Sequence, residues 1–187
     1  LGKEEDGEYI AVANPLPFEF SGAVGEYELS NIPAKGFARV KAKKARCNVK
    51  VEKKQIASDK YTVTFDDDYN IVSVKDTKGT EYINGKGNYL YACEDIPLNY
   101  DSWNVEDYHE EKKWLINDVS EVSEITEGHR KGLRIVRKFM NSVITQYITL
   151  SDYDGRIDFS TTVDWKEKNL LLLADCSKPC LHLGQFA

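Results

Sequence analysis

The clearest periodicity in the chain lies between Arg156 and Trp165. Ile157, Phe159, Thr161, Val163 and Trp165 alternate there with Arg156, Asp158, Ser160, Thr162 and Asp164. A period of two sends these sets to opposite faces, so the stretch predicts a strand with one wet face. Tyr61, Val63 and Phe65 alternate with Lys60, Thr62 and Thr64 in the same way. That pattern predicts a half-buried strand, followed by a turn over the acidic run 66–70 and a return strand over 71–74. Further strands are predicted at 9–13, 27–29, 36–40, 89–92, 115–125 and 143–150, and along the run carrying Leu133, Ile135 and Phe139. Trp165 reads as a core residue at the end of its strand. No stretch keeps a helical period for long. Strands joined by short turns predict an all-β antiparallel sandwich.

Breaks in the pattern suggest an organisation. Two prolines in Asn14-Pro15-Leu16-Pro17 favour an edge or crossover segment over a central strand. The polar residues 55–59 read as a junction. The expectation is a small β-domain over 8–54, followed by part of a larger β-sandwich over 55–187.

Composition narrows the function classes. The chain has 187 residues, 41% hydrophobic and 30% charged, with a net charge of -6. That length buries a core without staples. The negative balance argues against nucleic acid, because no basic stripe is present to meet phosphates. The short run Lys41, Lys43, Lys44, Arg46 reads as a solvated strand edge. No apolar run approaches the roughly 20 residues of a membrane helix. The four cysteines, 47, 93, 176 and 180, are too scattered for a disulfide framework. Reduced thiols fit a cytoplasmic location. Cys176, Cys180 and His182 lack a fourth ligand for a zinc site. The acidic run 66–70 lacks the spacing and later glutamate of a calcium loop. No metal site is expected in this chain.

The stretch 93–114 fits no period. Tyr100, Trp103 and Tyr108 sit among Glu94, Asp95, Asp101, Glu106 and Asp107. Pro97 biases Ile96 away from helix, and Ser102 is placed to cap one short turn beginning at Trp103. Rings beside carboxylates suit a pyranose, which has apolar faces and hydroxyl edges. The plain alternative is a long loop whose aromatics plug a core edge.

This stretch also carries a resemblance. Its I-P-L-N-Y-D-S-W-N-V-E-D-Y-H-E-E-K resembles the P-L-x-[WY]-D-A-W-D-V-x-x-Y-H-x-E segment of family 38 glycoside hydrolases, the retaining α-mannosidases. The likeness is closest to their cytosolic and bacterial branch. Ser102 and Asn104 depart from the pattern, and the second removes a charge. Other segments match in order. N-P-L-P and I-P-A-K-G-F resemble the opening and closing motifs of the family's small β-domain, with fewer residues between them than usual. Y-x-V-x-F-D-x-D-x-x-I-x-S-V-x-D resembles a hairpin of the large domain. R-I-D-F-x-T-x-V-D-W-x-E-x-x-x-L-L resembles one of its strands. The tail after Ala174 departs from relatives.

The resemblance implies a galactose-mutarotase-like sandwich lying after a catalytic domain. Retaining glycosidases need two carboxyl groups roughly 5 to 5.5 Å apart. In this family the nucleophilic aspartate and a divalent metal such as zinc belong to an N-terminal domain, and none of those motifs is matched here. The expectation is therefore a non-catalytic portion of an α-mannosidase, with no catalytic residue and no cofactor of its own. Its partners would be the catalytic domain of the same polypeptide and mannose-containing glycans. Tyr100, Asp101 and Trp103 are the candidate contacts, either on the rim of the substrate pocket or at an interdomain seam. A second reading is an independent carbohydrate-binding module with Tyr100, Trp103 and Tyr108 as its platform. A mutarotase-like epimerase would need a histidine base opposite a glutamate acid. His109, His129 and His182 offer no such pairing.

Overall fold

The computed structural model describes residues 8–99, 105 and 107–176. Fifteen strands run through them. They are β1 (Tyr9–Asn14), β2 (Phe20–Val24), β3 (Tyr27–Ile32), β4 (Gly36–Lys41), β5 (Lys50–Glu52), β6 (Gln55–Ala57), β7 (Tyr61–Phe65) and β8 (Ile71–Asp76). Then follow β9 (Tyr89–Glu94), β10 (Lys113–Leu115), β11 (Asp118–Glu127), β12 (Arg130–Phe139), β13 (Ser142–Ser151), β14 (Asp158–Asp164) and β15 (Leu170–Asp175). Their pairings are antiparallel. The only helical element among the described residues is a short 3-10 turn, Asp107–Glu111.

Two four-stranded sheets, in orders β5-β6-β7-β8 and β11-β12-β13-β14, share one core. Alternation explains it. Val63 and Phe65 point inward from β7, and Leu133 and Ile135 from β12. Ile148 and Leu150 meet them from β13. Ile56, Val63, Ile135 and Ile148 are completely buried, each contributing roughly 1.5–3 kcal/mol of transfer free energy. A smaller core joins the sheet β10-β9-β15 to the far end of β12 and β13 through Leu90, Ala92, Ile116, Phe139 and Ile144. Trp165 belongs to this core. Its ring stacks on Phe139 with centroids 5.7 Å apart, and its Nε1 donates to the Leu170 carbonyl at 3.2 Å.

Three details depart from the sequence reading. Residues 55–57, read as junction, form strand β6. The apolar residue in that polar stretch, Ile56, is fully buried and opposite Val51 and Val63. Second, β14 has no dry face. Phe159, Thr161 and Val163 stand beside Ile148, Gln146 and Ile144 on the core side of the sheet, as the alternation requires. However, Phe159 is 46% exposed and Val163 39%, because the facing layer stops short of this edge strand. Third, Arg137 occupies an inward position between Ile135 and Phe139 and is fully buried. Burial pulls its pKa down to about 10, against the pull of Asp66 and Asp68, so it stays charged at neutral pH.

The charge of Arg137 serves the turn between β7 and β8. Its Nη2 donates to the carbonyls of Asp68 and Tyr69 at 3.2 and 2.9 Å. Asp66 holds the same turn from the other side. Its Oδ1 accepts from the amides of Asp68 and Asn70 at 3.0 and 2.8 Å, and Lys86 pairs with it at 2.8 Å. Burial works to raise the Asp66 pKa, but Lys86 and Asn70 outweigh it and hold the carboxyl below its ordinary range. The acidic run is thus a braced turn, with Tyr69 in the left-handed region at φ 58°.

The N-terminal strands form two small sheets, β1-β4 and β2-β3. They meet the sandwich where two tight turns touch. The His129 amide donates to the Gly25 carbonyl at 3.1 Å, and the His129 ring nitrogen Nδ1 lies 2.8 Å from the same oxygen. Tyr153 stands edge-on to the His129 ring, and its hydroxyl accepts from the Arg46 amide at 2.9 Å.

Candidate functional site

The connection from β9 to β10 leaves the middle strand of the three-stranded sheet and returns along its edge. Tyr100, Asp101 and Trp103 fall outside the described residues, as does the cap expected at Ser102. The flanks of the loop are described. At its base the Glu94 amide donates to the Lys112 carbonyl at 3.2 Å. Lys112 Nζ also reaches both Glu94 carboxylate oxygens, at 2.7 and 2.8 Å. The Asp95 amide donates to the Asn169 carbonyl at 2.8 Å, tying the loop to the approach to β15. Further out, the Tyr108 hydroxyl donates to the Ile96 carbonyl. The 3-10 turn packs on β9, beneath which Cys93 is fully buried and Tyr91 nearly so. Lys113 lies over the Tyr91 ring at 5.2 Å.

The electrostatics of this face belong to packing. Burial pushes the Cys93 thiol up, which makes it unreactive. Burial likewise raises Tyr91. Tyr89 is pushed up to about 12, chiefly because its hydroxyl donates to Asp175 at 2.8 Å. Glu94 is committed to Lys112 through both oxygens. Among the described residues no group of three or more His, Cys, Asp and Glu converges as a metal site. His129 is buried in the turn contact with Gly25. Cys180 and His182 lie outside the described residues.

The loop's outer surface has a different character. Leu98 is 79% exposed, and Ile96 and Val105 are about half exposed. Leu115, at the end of β10, is exposed too. Alternation did not reveal this, because the stretch has no period. The signal was the presence of Ile, Leu and Val inside a polar, aromatic loop.

The described architecture is that of an antiparallel β-sandwich domain, and no helix of it is long and apolar enough to cross a membrane. Residues 56–177 match the family model of the glycosyl hydrolases family 38 C-terminal domain. The chain belongs to that family. Alpha-mannosidase 2C1 of Mus musculus and of Homo sapiens are each 30% identical to it over 89 residues. The aligned stretch is 46% of this chain and 9% of each relative, so the chain spans a small fraction of the curated relatives it matches.

Proposed function

We propose that this chain is a non-catalytic β-sandwich portion of an α-mannosidase, an enzyme removing terminal α-D-mannose from glycans. Its task is to brace the catalytic domain of the same polypeptide and to complete the rim of the substrate pocket. The observation that carries this reading is the loop after β9. It is anchored at its base by Glu94, Asp95 and Lys112, yet it presents Ile96, Leu98 and Val105 to solvent. Exposed apolar side chains on a loop anchored at its base suit a contact between domains. Tyr100, Asp101 and Trp103 lie between these exposed positions in sequence and are the proposed contacts at that seam or rim. The reacting carboxylates and a divalent metal such as zinc belong to the catalytic domain. A cytoplasmic setting agrees with free Cys47, Cys93 and Cys176.

Leu98 supplies a test. Because it is so exposed, Leu98→Asp changes the stability of the isolated chain by less than about 0.5 kcal/mol. In the longer polypeptide the same change buries a carboxylate at the seam. It is expected to lower the melting temperature and to reduce mannoside hydrolysis. Equal melting and activity for the two longer polypeptides would exclude a loop that braces.

A further inference from the structure

The face of β11–β14 turned away from the core contains a hollow with no part in the proposed bracing. It has a volume of about 460 Å³ and spans all four strands. Ile125 and Glu127 come from β11, Arg130 from β12, Tyr147 and Thr149 from β13, and Asp158 and Ser160 from β14, with Phe159 at the border. The register explains the convergence. Glu127 pairs with Arg130, Thr149 with Asp158, and Tyr147 with Ser160, so these side chains stand on one face. Gly132, between Arg130 and Arg134 on that face, adds no side chain.

We propose that this hollow binds one neutral pyranose unit of a glycan. A pyranose needs an apolar wall, an aromatic ring for its hydrogen-bearing face, and fixed donors and acceptors for its hydroxyls. Ile125 and the half-buried Tyr147 supply the first two. Thr149 and Ser160 supply hydroxyls, and Glu127 and Asp158 supply acceptors. Arg130 and Asp158 are held in place by ion pairs. Arg130 pairs with Asp154 at 2.7 Å and with Asp158, and Arg156 reaches the same Asp154 oxygen at 3.2 Å. Burial works to raise the Asp154 carboxyl, but Arg130 and Arg156 outweigh it and keep it ionised. Arg134 is tied to Glu121 at 2.6 Å and hydrogen-bonds Tyr147, fixing the ring's polar end.

Charge selects the class of ligand. Arg130 and Arg156 face Asp154, Asp158 and Glu127, which leaves a net charge of about -1 at the hollow. An anion such as phosphate or a uronate is repelled, because both guanidinium groups are already committed. A neutral polyol replaces water at the same donors and acceptors, and the ring adds stacking. The volume lies within the ordinary range for small-ligand sites, roughly 300–1,000 Å³.

The test is a titration of the chain followed by amide NMR, with methyl α-D-mannopyranoside, methyl β-D-glucopyranoside, D-glucuronate and inorganic phosphate. At least one neutral glycoside is expected to shift the Gly132, Thr149 and Ser160 amides, with Kd on the order of millimolar. Tyr147→Ala is expected to weaken binding roughly tenfold. Ser160→Ala, at an exposed position that does not endanger the fold, weakens it roughly threefold. Trp103→Ala leaves it unchanged. Unmoved resonances with both neutral glycosides would overturn the proposal, as would preferred binding of phosphate or glucuronate. Binding lost with Trp103→Ala but kept with Ser160→Ala would overturn it too, by assigning the sugar to the loop. The bracing role stands or falls separately, on Leu98.

Discussion

Alanine in place of Gly132 is expected to cost about 3 kcal/mol of folding stability. A Cβ at this position would lie 1.9 Å from the Ile148 carbonyl oxygen and 2.8 Å from the Thr149 Cα. Both are backbone atoms of the neighbouring strand, and no rotamer change moves them aside. Room is made only if β12 and β13 part, within a ladder that pairs Gly132 with Thr149 and Leu133 with Ile148. Those strands carry Ile135 and Ile148, both completely buried. Separation therefore strains hydrogen bonds and loosens the shared core together. Urea unfolding of Gly132→Ala against the parent chain measures it. A loss below about 1 kcal/mol would contradict this strand register.

The second large effect is local. Gly128→Ala is expected to detach the N-terminal sheets from the sandwich while leaving the core intact. Gly128 has φ 57°, a region that costs an L-residue about 1–2 kcal/mol. Its Cβ would also lie 2.1 Å from the Gly25 carbonyl oxygen, the acceptor that the His129 amide and ring share. Moving Gly25 breaks that contact and frees the β2-β3 hairpin. Amide exchange of residues 27–32 should accelerate at least about tenfold, equivalent to roughly 1.4 kcal/mol of local opening. Exchange in β12 and β13 should stay near its parent value. Equal acceleration everywhere would mean that the two parts unfold as one unit.

Much of the architecture was legible because one physical rule generated it. Period-two alternation placed Val63 and Phe65, Leu133 and Ile135, and Trp165 on inward faces; the structure buries the first four and packs a half-buried Trp165 against the smaller core. The same rule was silent about β6, since three residues are too few to display a period. It was misleading at β14, where alternation assigned Phe159 and Val163 to a core side that no layer covers. Arg137 was readable in principle. It sits in phase with Leu133, Ile135 and Phe139, and a charge on an apolar phase announces a buried partner. That partner is a pair of turn carbonyls 68 residues or more earlier in the chain, which no local pattern reveals.

The candidate contacts were less legible for a different reason. Ring and carboxylate side by side suit a sugar, which singles out Tyr100, Asp101 and Trp103 in the sequence, but they lie outside the described residues. What the structure describes is the flanks of the loop, a salt-bridged base at Glu94 and Lys112 and an exposed apolar Leu98. The hollow on the outer face was invisible in sequence. Its residues come from four strands, and only the register brings Arg130, Tyr147 and Asp158 to one place. The family motifs, by contrast, were legible because they recur in order along the chain, and the match over residues 56–177 agrees with those that fall within it, from Tyr61 onward.

We propose that this sandwich supports an α-mannosidase without supplying its reacting groups. The most direct measurement is release of the aryl group from an aryl α-mannoside, by the 187-residue chain and by a longer polypeptide that includes a catalytic domain. Turnover is expected from the longer polypeptide and none above background from the chain, with or without added zinc. Turnover by the purified chain that persists through repeated chromatography and disappears with Glu94→Gln or Asp95→Asn would contradict it.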